Sequence, residues 1–179
     1  MSTLALSALV GCGARGRPPK PSAAVAGSAA KAKENAPRKV VQTGSVMLES
    51  ANDDGTTAWK VHGESARAGL QEGAPSEFFL SNVTGDVYDG KKVVSTLAAE
   101  EAKAETASKK LVLSGQVSVT STEQDIVLHA DKVRWMEDRR LFAASGNVQI
   151  ESPDFALGKM DEVWATPDLR RIGNPSKFK

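Results

Sequence analysis

Apolar and polar side chains alternate with a period of two along much of the chain after Val40. Over 111–120, one parity holds Leu111, Leu113, Val117 and Val119, while the other holds serine, glutamine and threonine from residue 114 on, and 142–150 follows the same arrangement. Shorter alternations occur around Ile126 and Leu128 and around Trp59 and Val61. This period indicates strands with one buried and one solvated face. Repeated short strands separated by turn residues favour a sandwich, a barrel or a jelly roll.

Two short patterns recur in a fixed phase. The first is Ser or Thr followed by Gly-x-Val, with its glycine at Gly44, Gly85, Gly115 and Gly146. The second is a small or apolar residue, an acid, any residue and then Ala or Val, with its acid at Glu64, Glu100, Asp131 and Asp161. The last three glycines are spaced by 30 and 31 residues, and the last three acids by 31 and 30. A fixed period near 30 predicts stacked units, each a pair of strands.

These patterns together predict the fold class. We expect an all-β, elongated, twisted jelly roll of antiparallel strands, built from repeated units of about 30 residues over 40–174, with a tail over 175–179. Each repeated glycine is expected at a bulge or turn where a side chain would clash. The repeated acids are expected to be structural carboxylates, because they occupy the same place in every unit.

One segment has a conflicting local preference. Residues 97–111 are rich in alanine, glutamate and lysine, and propensity alone predicts a helix there. The phase of the repeat instead requires a strand over 93–104 and a turn over 106–109. We predict the strand, because tertiary context routinely overrides helix propensity.

The N-terminal 39 residues differ from the rest. Residues 1–12 contain a short apolar run and the single cysteine of the chain, and Leu9-Val10-Gly11-Cys12 resembles the lipobox of bacterial lipoproteins, whose cysteine is lipidated. No Lys or Arg precedes the apolar run, so a truncated signal or anchor helix is the alternative. Residues 13–39 hold four of the eight prolines and few large apolar residues, which predicts a disordered Pro/Ala/Lys-rich tether.

Charge and candidate chemistry narrow the function classes. The tether carries seven basic residues and one acid, a net charge of +6, which leaves −5 for residues 40–179 because the whole chain is +1. An acidic body argues against a nucleic-acid partner. His62 and His129 are expected to face solvent on strands, and Asp53-Asp54-Gly55 predicts a hairpin turn rather than a calcium loop. We therefore predict no enzyme, with no catalytic residues, metal or cofactor.

The large apolar residues are expected to face one interior. This set includes Trp59, Trp135, Trp164, Phe78, Phe79, Phe142 and Phe155. Such an interior is either an ordinary filled core or an apolar groove between separated sheets that admits acyl chains. Sequence alone leaves both alternatives open.

The stretches that carry the alternation also resemble a known family. Leu111-Val-Leu-Ser-Gly-Gln-Val-Ser-Val119, Ile126-Val-Leu-His-Ala-Asp-Lys-Val133 and Ala144-Ser-Gly-Asn-Val-Gln-Ile150 resemble the periplasmic jelly-roll proteins of the lipopolysaccharide transport (Lpt) system. Val46-Met-Leu-Glu-Ser50 and Trp59-Lys-Val-His-Gly-Glu-Ser-Ala66 look like the C component, LptC, in particular. The resemblance extends over residues 44–172. Members of that family commonly have an N-terminal transmembrane helix, which the short apolar run here does not provide.

The resemblance implies a periplasmic lipid conduit tethered to the inner membrane, through a lipid on Cys12 or a truncated N-terminal anchor. It would accept lipopolysaccharide from an inner-membrane ABC transporter and pass it to a periplasmic LptA-like protein. The implied groove lining is Val117, Val119, Ile126, Leu128, Phe142, Val148 and Ile150. The implied partner edge is a strand around 155–163, with Phe155, Leu157 and Val163.

Two alternatives to this function remain. One is a soluble LptA-like bridge protein, which an unlipidated Cys12 and a mature chain free in the periplasm would favour. The other is a structural envelope lipoprotein with a filled core that binds no lipid.

Overall fold

The computed structural model describes residues 40–71, 74–105 and 108–178. The predicted lipobox with Cys12, the predicted tether and the predicted turn residues 106 and 107 lie outside the described residues. The described part consists of ten strands and one short 3₁₀ helix. The strands are β1 Val40–Thr43, β2 Val46–Ala51, β3 Thr57–Gln71, β4 Ala74–Asp89, β5 Lys92–Glu105, β6 Lys110–Ser121, β7 Val127–Met136, β8 Leu141–Ser152, β9 Phe155–Ala165 and β10 Ile172–Gly173, and the helix is Pro175–Phe178.

The strands form one open antiparallel sheet. Its order is β1-β3-β4-β5-β6-β7-β8-β9-β10, so from β3 onward each strand pairs with the next one in sequence. β1 and β2 lie end to end beside β3, where β1 pairs with residues 66–69 and β2 with residues 57–63. The predicted all-β class and the elongated, twisted, jelly-roll-like sheet are confirmed.

The conflict over residues 97–111 is resolved in favour of the strand. β5 pairs along most of its length with β4 on one side and β6 on the other. Its alanines Ala102 and Ala104 are buried. They lie beside Leu80, Leu111 and Leu113 of the neighbouring strands. Two ladders of backbone hydrogen bonds and a buried face outweigh the intrinsic helix preference.

The repeated acids mark the points where the buried face changes parity. In β7, Ala130 and Val133 are buried, while Asp131 and Lys132 between them are exposed. The same two outward residues occur at Glu64 in β3, at Glu100 in β5 and at Asp161 in β9. Inward residues are therefore three positions apart at this point instead of two. The acid pattern is thus a structural signature, as predicted.

Two of the repeated glycines form bulges on the even-numbered strands. Gly115 and Gln116 together lie opposite Asp131, with φ angles of +75° and +45°. Gly146 and Asn147 have φ angles of +76° and +48° and occupy the same place in β8. An extra residue in the left-handed region bends the strand and increases its twist. The predicted bulges are confirmed at these two glycines.

The other two glycines do not behave as predicted. Gly85 lies in regular strand opposite Val61, where an added Cβ would come within 2.5 Å of the Lys60 carbonyl oxygen. The left-handed position of β4 belongs instead to Asn82, with a φ of +48°. Gly44 lies in the break between β1 and β2 and has open space around its Cα.

The sheet folds over along this line of bends. Successive antiparallel strands place the turns after β2 and β4 at one end of the sheet and the turns after β5 and β7 at the other. Lys109 Nζ nevertheless lies 2.8 Å from Asp53 Oδ1, and Arg140 Nη2 lies 3.1 Å from Asp89 Oδ1. These contacts join opposite ends of the sheet. We refer to the line along which the two ends meet as the seam.

One continuous core fills the folded sheet and draws on every strand from β3 to β9. Of the predicted interior aromatics, Trp59, Trp135 and Phe142 are buried, and Phe78 packs against the core. Three predictions are wrong. Phe79 has outward parity, Trp164 packs outside against Phe178 and Arg139, and Phe155 lies exposed at the sheet edge.

We expect Gly146→Ala to lower the free energy of unfolding by about 1–3 kcal/mol, since alanine disfavours a φ of +76°. The new Cβ would also lie 2.6 Å from the Asp131 carboxylate. The matched control is Gly158→Ala in β9, where the nearest atom is 3.9 Å away. Urea unfolding of both variants is the measurement. An equal effect of the two substitutions would contradict the proposed role of the bulge.

Candidate functional site

A large concavity among the described residues runs along β9 at one edge of the sheet. It has a volume of about 1010 Å³ and is open to solvent. Its apolar side is lined by Ile126, Ile150, Phe155, Leu157, Met160, Val163, Leu169 and Ile172. Polar and charged side chains, including Lys159, Asp161 and Arg170, line the rest. We call this concavity the edge groove. An apolar wall with a charged margin suits an amphiphilic ligand.

The groove is open because β9 is incompletely covered. β8 pairs with β9 over 155–165, whereas β10 pairs only with Trp164 and Ala165. Within the described residues, 155–163 thus has backbone groups without a neighbouring strand on one side. Phe155 and Leu157 lie here with 45% and 52% of their surface exposed. An exposed apolar edge strand is a template for pairing with another chain.

The sequence-predicted groove residues divide between the core and the edge groove. Ile126 and Ile150 line the edge groove. The core contains Val117, Val119, Leu128, Phe142, Val148 and also Ile150, each at most 4% exposed. These side chains are close-packed in the folded sheet. An acyl chain would therefore reach Val117 or Val148 only if the two halves of the sheet separated.

The predicted partner-edge residues also divide. Phe155 and Leu157 are exposed on the uncovered part of β9, as that prediction requires. Val163 is buried opposite Ala144, because the parity change at Asp161 and Glu162 turns it inward. Val163 is therefore a core residue that also borders the groove.

Leu169 lines the edge groove, a position that the sequence pattern did not predict. It is fully buried, although its φ is +57°, which is unfavourable for a branched side chain. Its N–H donates to the Thr166 carbonyl at 2.9 Å, and Asp168 Oδ1 accepts a hydrogen bond from Thr166 Oγ1 at 2.6 Å. These bonds and the burial of the side chain hold the conformation. No periodic pattern surrounds Leu169, so its sequence carries no signal of this role.

The buried hydroxyl of Ser121 links the two ends of the sheet at the seam, near the edge groove. Ser121 Oγ donates to the Asp168 carbonyl at 2.9 Å and accepts N–H bonds from Glu123 and Gln124 at 3.3 and 3.1 Å. Ser121 therefore joins the β6–β7 turn to the loop after β9. A buried hydroxyl with three hydrogen bonds contributes more to stability than an exposed ion pair, which water and salt weaken.

Charged pairs line the same seam at the surface. Glu123 contacts Lys92 and Arg170, and the hydrogen bond from Lys92 is the main reason that the pKa of Glu123 is lowered. The hydrogen bond to Asp53 similarly raises the pKa of Lys109. Glu123 and Lys109 are partly exposed at the surface, where such pairs are weak and screened by salt. These charged pairs therefore contribute little to the stability of the seam.

The remaining candidate residues have structural positions. Asp53, Asp54 and Gly55 form the predicted turn, in which the Gly55 N–H donates to the Asn52 carbonyl at 3.0 Å. His62 and His129 lie partly exposed on β3 and β7, and His62 Nε2 is 2.7 Å from Ser45 Oγ. Across the described ranges, His, Cys, Asp and Glu side chains form no group of three or more that could hold a metal ion.

None of the protein-family models matches the chain, and neither does any of the curated proteins. Within the described segments, no helix has the length and apolarity needed to cross a membrane.

We expect Ser121→Ala to lower the free energy of unfolding by about 1–3 kcal/mol, because it removes three hydrogen bonds of a buried hydroxyl. Ser95, its partner in the β5–β6 register, is the matched control. The Ser95 hydroxyl is fully buried and has no hydrogen-bond partner among the described residues. Ser95→Ala should therefore change stability by less than about 0.5 kcal/mol or increase it. Urea unfolding distinguishes the two, and a larger cost for Ser95→Ala would refute this account of the seam.

Proposed function

We propose that this protein is an LptC-like lipid conduit of the periplasm, tethered to the inner membrane, that holds the acyl chains of lipopolysaccharide. The edge groove is the observation that carries the proposal. An apolar interior reaches solvent there, beside a strand whose outer side is unpaired in the described residues. The sequence resemblance supplies the identity of the lipid and of the partners.

The groove suits the two parts of an amphiphile. Phe155, Leu157 and the partly buried Ile126 offer apolar surface to acyl chains, and each buried methylene group contributes about 0.8 kcal/mol. The exposed Lys159 at the margin can attract an anionic headgroup, while the sugars remain in water. No covalent chemistry is required of this chain, since the partner ATPase would supply the energy.

Transfer would occur at the same edge. The lipid would come from the inner-membrane ABC transporter and leave toward an LptA-like protein whose strand adds to β9. The added strand would extend the sheet and continue its apolar face. The uncovered backbone of 155–163 and the exposed Phe155 and Leu157 support this direction of transfer.

A second candidate function is a scaffold that binds no lipid. The complete burial of Val117, Leu128 and Val148 favours it, because a filled core leaves no room for a chain at these positions. The soluble LptA-like alternative differs from the conduit only in its anchor, and the lipidation state of Cys12 in the mature protein tests it.

The first experiment places a photoreactive amino acid at Leu157 in cells that make lipopolysaccharide. We expect a lipopolysaccharide adduct that depends on ATP hydrolysis by the transporter, because Leu157 is exposed in the edge groove. Met47, an exposed apolar residue at the opposite edge of the sheet, is the matched control and should give no adduct. Failure at Leu157 in a folded, exported protein would favour the scaffold.

A second experiment tests whether lipid enters by separation of the seam. In a Cys12→Ser background, Asp53→Cys and Lys109→Cys are joined by a short bis-maleimide, which ties opposite ends of the sheet. A conduit requires the acyl chains to pass from the edge groove into the filled core, so we expect uptake of a fluorescent fatty acid to fall at least fivefold once the halves can no longer part. The control joins Glu49→Cys to Lys60→Cys, an ion pair between adjacent strands, and should leave uptake unchanged. Normal uptake with the seam joined would restrict binding to the edge groove.

A further inference from the structure

Three of the repeated acids accept a hydrogen bond from an amide on the next strand. On β4, Asn82 Nδ2 donates to the Glu64 carboxylate at 2.8 Å. On β6, Gln116 Nε2 donates to Glu100 at 2.6 Å, and on β8, Asn147 Nδ2 donates to Asp131 at 2.8 Å. Every amide residue has a positive φ, between 45° and 48°. We call this arrangement the acid–amide ladder.

The residue after each amide extends the pattern. It is valine in all three cases, and each valine is almost completely buried: Val83, Val117 and Val148. A strand that joins the ladder therefore places an amide outside and a valine inside at consecutive positions. A slip of one residue would exchange these faces, so the pair specifies the register of the strand.

Asp161 is the fourth acid of the ladder and has no amide. It follows the partly buried Met160 and precedes the exposed Glu162 and the buried Val163, as in the other units. Within the described ranges, Asp161 makes no hydrogen bond or ion pair, whereas Glu162 Oε1 accepts a bond from Trp164 Nε1 at 3.0 Å. The strand that would carry its amide partner is the one that the uncovered side of β9 lacks.

We infer that Asp161 sets the register of the partner strand at β9, and that this strand contains an Asn or Gln in the left-handed conformation followed by a valine-like residue. The inference rests on the strand addition proposed above and specifies its chemistry. The amide donates to the Asp161 carboxylate outside the sheet. The following residue packs inside, where it extends the core beside Met160 and Leu157.

The acid–amide ladder favours a different protein, instead of a second copy of this chain, as the source of the strand that adds to β9. The equivalent position on the first edge strand is Ser45, which follows Gly44 and precedes Val46. Ser45 supplies a hydroxyl instead of an amide, and this hydroxyl is already 2.7 Å from His62 Nε2. The exposed Asp161, Glu162 and Lys159 on β9 also discourage unspecific edge pairing.

The probe for this inference is a fluorescent synthetic peptide with the sequence of residues 141–152, which carries Asn147 after Gly146. Its binding to the full-length protein is followed by anisotropy. We expect Asn147→Asp in the peptide to weaken binding at least tenfold, because two carboxylates would then face each other. Asp161→Asn in the protein should restore binding of the Asn147→Asp peptide to within threefold. Glu162→Gln is the matched control and should leave both affinities unchanged.

Capture of the peptide by a photoreactive residue at Leu157 distinguishes strand addition at β9 from the role of Asp161 in setting the register. Equal capture and equal affinity of both peptides would overturn the role of Asp161, while strand addition at β9 would stand. Absence of capture and of binding for both peptides would overturn strand addition and the inference together. The lipopolysaccharide adduct at Leu157 is scored in a separate experiment and depends on neither peptide.

Discussion

The fold depends on a bend that every long strand must make while its apolar face stays continuous. β3, β5, β7 and β9 meet this constraint with two consecutive outward residues, the first of which is an acid. β6 and β8 meet it with a glycine in the left-handed region, and the amide that follows donates to the acid on the preceding strand. The bend, the parity change and the hydrogen bond are therefore parts of one feature. Because it recurs, the bends align and the sheet folds along a single line.

Folding the sheet over brings its two ends together and creates the seam. Most of the seam consists of exposed ion pairs, which contribute little in water. Ser121 and Leu169 are the exceptions, since both are buried near the edge groove and both depend on the loop after β9. The interior is thus closed by packing, whereas its margin is held by weak contacts. This distribution is compatible with the proposed function, in which the interior keeps its shape and the margin admits a lipid.

The edge groove and the unpaired Asp161 share one cause, the incomplete cover on β9. The repeat supplies each earlier acid strand with a following strand that hydrogen-bonds its backbone, pairs its acid and covers its apolar face. At β9 only the last two residues receive such cover. An apolar surface, unpaired backbone and an unpaired carboxylate are therefore exposed at the same place. In the proposed function, one partner strand would satisfy all three.

The sequence by itself determined the all-β class, the strand at 93–104 and the bulges at Gly115 and Gly146, because period-two alternation and the phase of a repeat are local properties. The edge position of Phe155 and Leu157 was only what the family resemblance implied, since the sequence pattern had assigned Phe155 to the interior. Only the tertiary structure decided that Val117 and Val148 are close-packed and that the groove includes Met160 and Leu169. Burial depends on which distant strands pack over a residue. Alternation assigns a residue to one face of its strand but does not specify what packs against that face. Only the tertiary structure also decided that β4 bends at Asn82 instead of Gly85, because Gly85 alone fits the sequence pattern but lies in regular strand opposite Val61.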